Sequence, residues 1–180
     1  MWTFAATSRR RIVFSATGVP STSGSVTTAA AAETGTVVLS PSADTYLNIS
    51  EVNHATDTLL HVYTWPSYEI ANATLMKFDL ASIPAGSSIS RATLNLYLAE
   101  ADPSTDSLYT VTAHAIVNKN PDLTRATGYT YDGVNGWTPN SCCYNNAPLA
   151  QADIGPPADT RDIDKTPGFK QWDVTSIVQA

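Results

Sequence analysis

The segment Ala73-Thr-Leu-Met-Lys-Phe-Asp-Leu80, followed after a loop by Arg91-Ala-Thr-Leu-Asn-Leu-Tyr-Leu98, decides the fold class of this 180-residue chain. In the second segment one alanine and three leucines alternate with arginine, threonine, asparagine and tyrosine, which is the period-2 pattern of a half-buried strand. A slip of one residue would bury Arg91 and Asn95, so the register is well specified. The loop contains a proline and a glycine, which break both helix and strand. The two segments therefore predict a core pair of an antiparallel all-β domain.

The first segment also alternates, although less clearly. Thr74, Met76 and Phe78 fall on one side of an extended chain, and Leu75 and Lys77 fall on the other. This pattern too is typical of a half-buried strand.

The same stretch resembles the DNRLRE domain, a jelly-roll-like module of large secreted bacterial and archaeal proteins. The resemblance lies in a strand that ends in Lys-Phe-Asp-Leu (77–80), the loop Ser-Ile-Pro-Ala-Gly (82–86) and the strand Ala-Thr-Leu-Asn-Leu-Tyr-Leu (92–98). It extends to Ala-Asp-Thr-Tyr-Leu (43–47) and to the terminal segment 171–179, and so covers residues 36–180. It implies an antiparallel β-sandwich of jelly-roll type.

Modules similar to this family have been classed among carbohydrate-binding modules, whereas others occur in cell-surface proteins with no known ligand. The resemblance therefore implies a secreted or cell-surface module that is not an enzyme and whose partner is a polysaccharide or a cell-surface glycan. The first residues show no secretion signal, because basic residues follow the apolar ones. The family usually continues beyond the point that matches Ala180 with a tryptophan and further strands, so the resemblance predicts that the usual C-terminal strands are lacking.

Residues 1–35 are predicted to form an N-terminal arm and a linker rich in serine, threonine and alanine, and residues 36–180 the β-sandwich module. The segment Arg10–Ser15 resembles the strand that would close such a sandwich. It could close its own domain or add a strand to a neighbour, which would make the protein a structural subunit of a surface assembly. The alternative is a poorly ordered terminus.

Charge and hydropathy exclude two classes of partner. Ten basic and sixteen acidic residues give a net charge of −6 and an isoelectric point near 4.8. Nucleic acid is therefore excluded, because its phosphates need a basic face, and a neutral glycan is easier to accommodate than an acidic one. No apolar run approaches the length of a transmembrane helix, so no membrane partner is expected.

The segment from Asn118 to Lys170 is predicted to be a long irregular insertion, because it has little periodicity and many turn signals, including Pro156-Pro157. An insertion of this length in a compact domain is usually functional or stabilised internally.

Four aromatic residues are candidates for stacking on a sugar ring, because exposed rings beside turns suit that role. Two lie near a proline turn and two in the insertion: Trp65, Tyr68, Trp137 and Tyr144. The alternative is that these rings cover the edge of the core.

Two further features of the sequence bear on chemistry. Cys142 and Cys143 are adjacent and form neither a redox nor a zinc pattern, so they are either a vicinal disulfide or two free thiols.

Asp44 and Asp173 lie in segments that resemble the family and are candidate ligands of a structural calcium ion. They could instead accept hydrogen bonds from backbone amides at strand ends. No catalytic motif is present, so a polysaccharide-active enzyme is the least favoured function.

Overall fold

A computed structural model describes residues 2–4, 10–18, 33–64, 71–103, 107–140 and 144–180; only the backbone is described for the residues before 35 and for residue 144. Every strand pairing in this part of the chain is antiparallel, which confirms the predicted all-β class. The elements are β1 (Trp2–Phe4), β2 (Arg10–Gly18), β3 (Glu33–Leu39), β4 (Pro41–Leu47), β5 (Leu60–Thr64), β6 (Ala71–Phe78), β7 (Ser88–Ala101), β8 (Leu108–Ile116), β9 (Ile154–Asp164), β10 (Gly168–Asp173) and a short helix α1 (Thr175–Val178).

The strands form two layers around a common core. The larger sheet has the order β3-β2-β7-β1-β5-β6-β4, and β10 pairs with β7. The smaller layer is the β8–β9 hairpin. Trp172 of β10 packs in the core between the layers, and its Nε1 donates a hydrogen bond to the backbone oxygen of Val111 in β8 at 2.9 Å. Within the described residues, no helix is long and apolar enough to span a membrane.

Strand β7 has the predicted alternation, with one exception. Ala92, Leu96 and Leu98 are buried in the core, and Arg91 is exposed. Asn95 was expected to face water but is buried on the opposite side of the sheet. The reason is that β7 is a central strand flanked by β2 and β10, and Gln171 of β10 donates a hydrogen bond to the Asn95 side chain at 2.7 Å.

Strand β6 is covered on both faces, whereas its alternation had predicted a half-buried strand. Met76 and Phe78 pack against the core between the layers. Leu75, on the opposite side of the strand, is buried in a second cluster that also contains Leu47 and Leu149. The insertion therefore folds over the outer face of β4 and β6 and has a hydrophobic core of its own, here called the insertion core.

The predicted irregular segment contains a strand that the sequence pattern missed. Strand β9 spans 11 residues within it and includes Pro156 and Pro157, which had indicated a turn. The prolines are tolerated because β9 pairs with β8 alone among the described strands, and the register shifts on either side of His114. The irregular part of the insertion is thus limited to residues 117–153.

The N-terminal arm contributes strands to its own domain. Strand β2 lies between β3 and β7, and it pairs with β7 from Leu96 to Ser88. The segment Arg10–Ser15 therefore lies in a strand that pairs within its own chain, and whether it closes its own domain or serves a neighbour stays a prediction. Most of the predicted linker, residues 19–32, lies outside the described residues.

Candidate functional site

Several of the residues singled out from the sequence lie outside the described part of the structure. These are Trp65, Tyr68, Cys142 and Cys143. Tyr144 begins a 3₁₀ turn that ends at Asn146, but its side chain is not described. Stacking by Trp65, Tyr68 and Tyr144, and a vicinal disulfide, therefore stay predictions.

Trp137 is placed in the insertion core, where it is only 3% exposed. Its Nε1 donates a hydrogen bond to the backbone oxygen of Thr127 at 2.9 Å, and its ring meets Tyr131 edge to face at 5.9 Å between centroids. A ring buried in this way cannot stack on a sugar, so the prediction for Trp137 is corrected: it packs the insertion down. The sequence could not distinguish the two roles because the insertion has no periodicity from which burial could be derived.

The two proposed calcium ligands, Asp44 and Asp173, lie in different surroundings. Asp173 accepts hydrogen bonds through Oδ1 from the Thr175 hydroxyl at 2.6 Å and from its amide at 3.0 Å, and these bonds lower the pKa of Asp173. This is the strand-end role considered as the alternative. Asp44 is half-buried in β4, opposite Met76. In the described ranges no group of three or more His, Cys, Asp or Glu residues is arranged to hold a metal ion, so calcium stays a prediction.

An exposed aromatic pair lies on the outer face of β7 and β10. Phe169 is paired in register with Tyr97, and Gln171 with Asn95, so the four side chains share one face of the sheet. The rings of Tyr97 and Phe169 meet edge to face at 5.3 Å between centroids, and Phe169 is 47% exposed. These four residues are here called the sheet platform.

The sheet platform has the chemistry of a sugar-binding face. An exposed ring offers an apolar surface on which the C–H face of a sugar can pack, and an amide can both donate to and accept from hydroxyl groups. Asn95 is fixed by its bond from Gln171 and by its own donation to the Thr93 carbonyl at 3.0 Å. The platform is therefore rigid as well as amphipathic.

The sheet platform was not predicted from the sequence, although part of the signal was present. Tyr97 was assigned to the polar side of β7. Phe169 and the buried Trp172 are three residues apart in one strand, so their side chains lie on opposite faces of the sheet. Their proximity depends on the register between β7 and β10, which neither segment contains alone.

A polar cluster fixes the loop between β4 and β5. His54 lies between two side chains: its Nδ1 is 2.9 Å from Asp57 Oδ2, and its Nε2 is 3.0 Å from Asn48 Nδ2. Its ring stacks on Tyr46 at 4.0 Å between centroids, and the Tyr46 hydroxyl donates to Asp57 at 3.2 Å. Burial and the bond to Asp57 raise the pKa of Tyr46 to about 12. The cluster holds the loop in one conformation.

His61 lies against the same cluster and makes the stability of the protein pH-dependent. Its ring meets Tyr46 edge to face at 5.0 Å, and burial lowers the pKa of His61 below its usual value of about 6.5. The nearby Asp57 carboxylate opposes this effect and His54 adds to it. Below pH 6.5 the unfolded chain takes up a proton before the folded chain does, so the stabilisation present above pH 6.5 is lost as the pH falls.

We expect urea unfolding at pH 5.5 to have a lower midpoint than unfolding at pH 7.5, and the difference to be smaller in a His61→Gln variant. Comparing the two proteins at both pH values isolates His61 from the other titrating groups. An unchanged difference in the variant would contradict this assignment.

A large cleft lies between the two layers, on the side of the domain away from the sheet platform's rings. Its volume is about 820 Å³, and it is lined by β6, β7, β8, β10 and α1 and by residues of the insertion. At roughly 24 cal/mol per Å³, a sealed dry void of this size would cost about 20 kcal/mol, which exceeds the net stability of about 5–15 kcal/mol typical of a domain. The cleft must therefore be solvated or occupied in solution.

Comparison with known proteins gives a family. The family model of carbohydrate-binding module family 96 matches residues 35–127, which is more than half of the chain. The broader part of the resemblance, a carbohydrate-binding module family, is confirmed, whereas DNRLRE is not the name of the family that matches. The matched span contains Asn95 and Tyr97 but ends before Phe169 and Gln171. No curated protein and no solved structure matches the chain.

Proposed function

The chain belongs to carbohydrate-binding module family 96, and we propose that it binds a polysaccharide or a cell-surface glycan without cleaving it. The proposal places this binding outside the cell, as part of a secreted or surface-bound protein. The family membership carries the proposal. The sheet platform supports it, because the exposed ring of Phe169, packed against Tyr97, shares one face with the exposed amide of Gln171, which bonds to the buried Asn95.

The glycan proposed is a neutral one. The net charge of −6 would repel uronic acids or sulfated sugars unless basic residues clustered locally. On the platform itself the side chains that face outward are two rings and two amides, none of which carries a charge. A chain of neutral hexoses would stack on Phe169 and Tyr97 and place its hydroxyl groups against Gln171.

We expect Phe169→Ala to weaken binding of the best neutral polysaccharide about tenfold. One stacking ring contributes about 0.5–1.5 kcal/mol, and 1.4 kcal/mol corresponds to a factor of ten. The measurement is a screen of neutral polysaccharides by affinity electrophoresis, followed by calorimetric titration of the best ligand. Val134→Ala is a matched control, since it truncates a side chain that is 71% exposed on the insertion.

The outcomes of this experiment separate the site from the function. Normal binding by Phe169→Ala but loss in Trp65→Ala or Tyr68→Ala would move the site to the loop between β5 and β6. Failure of the wild-type chain to bind any glycan would contradict the function itself. Release of reducing sugar during incubation would contradict the absence of catalysis.

A repeat of the measurements with a chelator tests the proposed structural calcium, because loss of the ion would lower the midpoint of thermal unfolding.

Strand donation by the N-terminal arm is not favoured as a second function. The arm's strand β2 is already paired on both sides, with β3 and β7 of its own chain. Donating it to a neighbour would break both pairings.

A further inference from the structure

The cleft between the layers is bordered by two strand edges, one in β6 and one in β8, along which the described residues place no further strand. Strand β8 pairs only with β9 among the described strands. Strand β6 pairs with β4 along Ala73–Phe78, but on its other side β5 pairs only with Ala71 and Asn72. Each border therefore presents backbone amides and carbonyls, although in the β8 run the Val111 carbonyl already accepts a bond from Trp172 Nε1 and the Val117 amide donates to Asp153.

The residues that line the cleft confirm that backbone edges, and not only side chains, form its walls. Two runs of consecutive residues line it, 72–78 of β6 and 109–117 along and just beyond β8. Successive side chains of a strand point to opposite faces, so a cleft lined from one face would show alternate residues. Because consecutive residues of each strand line the cleft, the cleft runs along the edge of the strand and not over one of its faces. Backbone groups at such an edge need hydrogen-bond partners and are a template for another strand.

The floor of the cleft is apolar, with two polar atoms that lack partners. Leu94 and Leu96 of β7 and Trp172 of β10 contribute to it. Asn72 is only 9% exposed, and its Oδ1 is buried without a hydrogen bond, as is the Oγ1 of Thr74 two residues further on. Both side chains line the cleft. An unpartnered buried polar group is costly and points to a ligand with hydrogen-bonding groups.

We propose that this cleft is a slot that accepts an extended strand of a partner polypeptide, inserted between β6 and β8. A peptide backbone can pair with two strand edges at once while its alternate side chains fill an apolar floor. The free part of β6 is six residues long, so the inserted strand spans about 20 Å. Its inward side chains are aliphatic, and a polar group among them meets Asn72 and Thr74.

Charge defines the outward side of the incoming strand. Lys77 and Lys119 line the cleft, whereas no Asp or Glu does among the residues that the structure describes, although acidic residues outnumber basic ones in the whole chain. The outward side chains of the partner strand are therefore neutral or acidic. This inference does not depend on the glycan proposal, since the sheet platform lies on another face.

A second copy of the chain is a poorer occupant than a separate extended peptide. A strand that enters the slot must have both of its own edges unpaired, and each described strand is already paired on at least one side. The undescribed segment 19–32 is mostly serine, threonine and alanine, and its only large aliphatic residues are Val19 and Val26. It lacks the alternation that the apolar floor requires.

The test uses the full chain and a synthetic acetylated peptide, Glu-Val-Thr-Val-Glu-Val-Thr-Val, carrying a fluorescent label. A block-sequence peptide of the same composition is the control for non-specific binding. We expect saturable binding of the alternating peptide by fluorescence anisotropy, at least tenfold tighter than that of the block peptide. Hydrogen exchange on the wild-type chain should then slow at least tenfold at amides in 73–78 and in 109–117, with no change in β2 and β3.

Two variants link that binding to the cleft. Ala113→Trp, in the middle of the β8 border, should fill the cleft and weaken peptide binding at least tenfold, while Val134→Trp on the exposed insertion should leave it unchanged. Polysaccharide binding should be unaffected by Ala113→Trp, which separates this proposal from the first.

Absence of peptide binding, or slowed exchange along only one border, would overturn the proposal. Slowed exchange that appears at high protein concentration without peptide would overturn it in favour of a second copy. The exchange measurement requires no variant and decides the matter if Ala113→Trp does not fold.

Discussion

Trp172→Ala should lower the free energy of unfolding by about 3–5 kcal/mol, the range found when a buried tryptophan or phenylalanine is truncated. Trp172 is the largest fully buried side chain of the domain's described part, at 1% exposure. It packs with Leu96 and Ile163, and its Nε1 bonds to β8, so its removal loosens the contact between the two layers. Urea unfolding followed by circular dichroism measures the change.

Two companion variants separate the causes of that loss. Trp172→Phe keeps a large ring but leaves the Val111 carbonyl without its donor, and we expect it to cost about 1–3 kcal/mol. Phe169→Ala, on the same strand but on the exposed face, should cost no more than about 1.5 kcal/mol, since it removes mainly a ring pair with Tyr97. Equal losses for Trp172→Ala and Phe169→Ala would contradict the placement of Trp172 between the layers.

The strands were predictable wherever one face meets the core and the other meets solvent. The alternation in β7 is clear because Ala92, Leu96 and Leu98 face the core while Arg91 on the other side is exposed. The burial of Leu75 was not predicted, because alternation assumes one buried face, whereas β6 is covered on both. A local pattern carries no information about a layer that a distant insertion supplies.

Features that depend on pairing between distant segments could not be predicted. Strand β9 was not predicted because it contains Pro156 and Pro157. A proline has no amide hydrogen to donate, so it fits into a strand only where no neighbouring strand needs that hydrogen bond. The sheet platform joins Tyr97 to Phe169, and the cleft lies between β6 and β8, so each requires the register or the topology of strands far apart in sequence. The sequence indicated a carbohydrate-binding module family, which the family model confirms, but it also named as a stacking candidate a ring, Trp137, that the fold uses for packing.

The insertion depends on one close approach, so Gly128→Ala should cost about 3 kcal/mol or more. A Cβ at this position would lie 1.8 Å from the backbone oxygen of Asn48, a distance no pair of non-bonded atoms adopts, and 3.1 Å from Leu149 Cδ2. The backbone atoms cannot rotate away as a side chain would, so the loop after β4 and the insertion must separate. The Gly128 carbonyl also accepts a hydrogen bond from Leu149 at 2.9 Å, which the separation would strain.

The damage should spread through the contacts that join these two segments. Asn53 donates to the carbonyls of Leu123 and Ala126 at 3.0 and 2.6 Å, and Tyr129 donates to that of Ile49 at 3.2 Å. Since all of them require the same close approach, hydrogen exchange in residues 123–130 should accelerate together with the fall in the urea midpoint.

Gly136→Ala is the matched control: it adds the same methyl group in the same insertion, where the nearest atom is 3.7 Å away. We expect it to change the free energy of unfolding by less than about 1 kcal/mol. Wild-type stability of Gly128→Ala would show that the insertion does not lie against the loop after β4, and the insertion core described above would then be wrong.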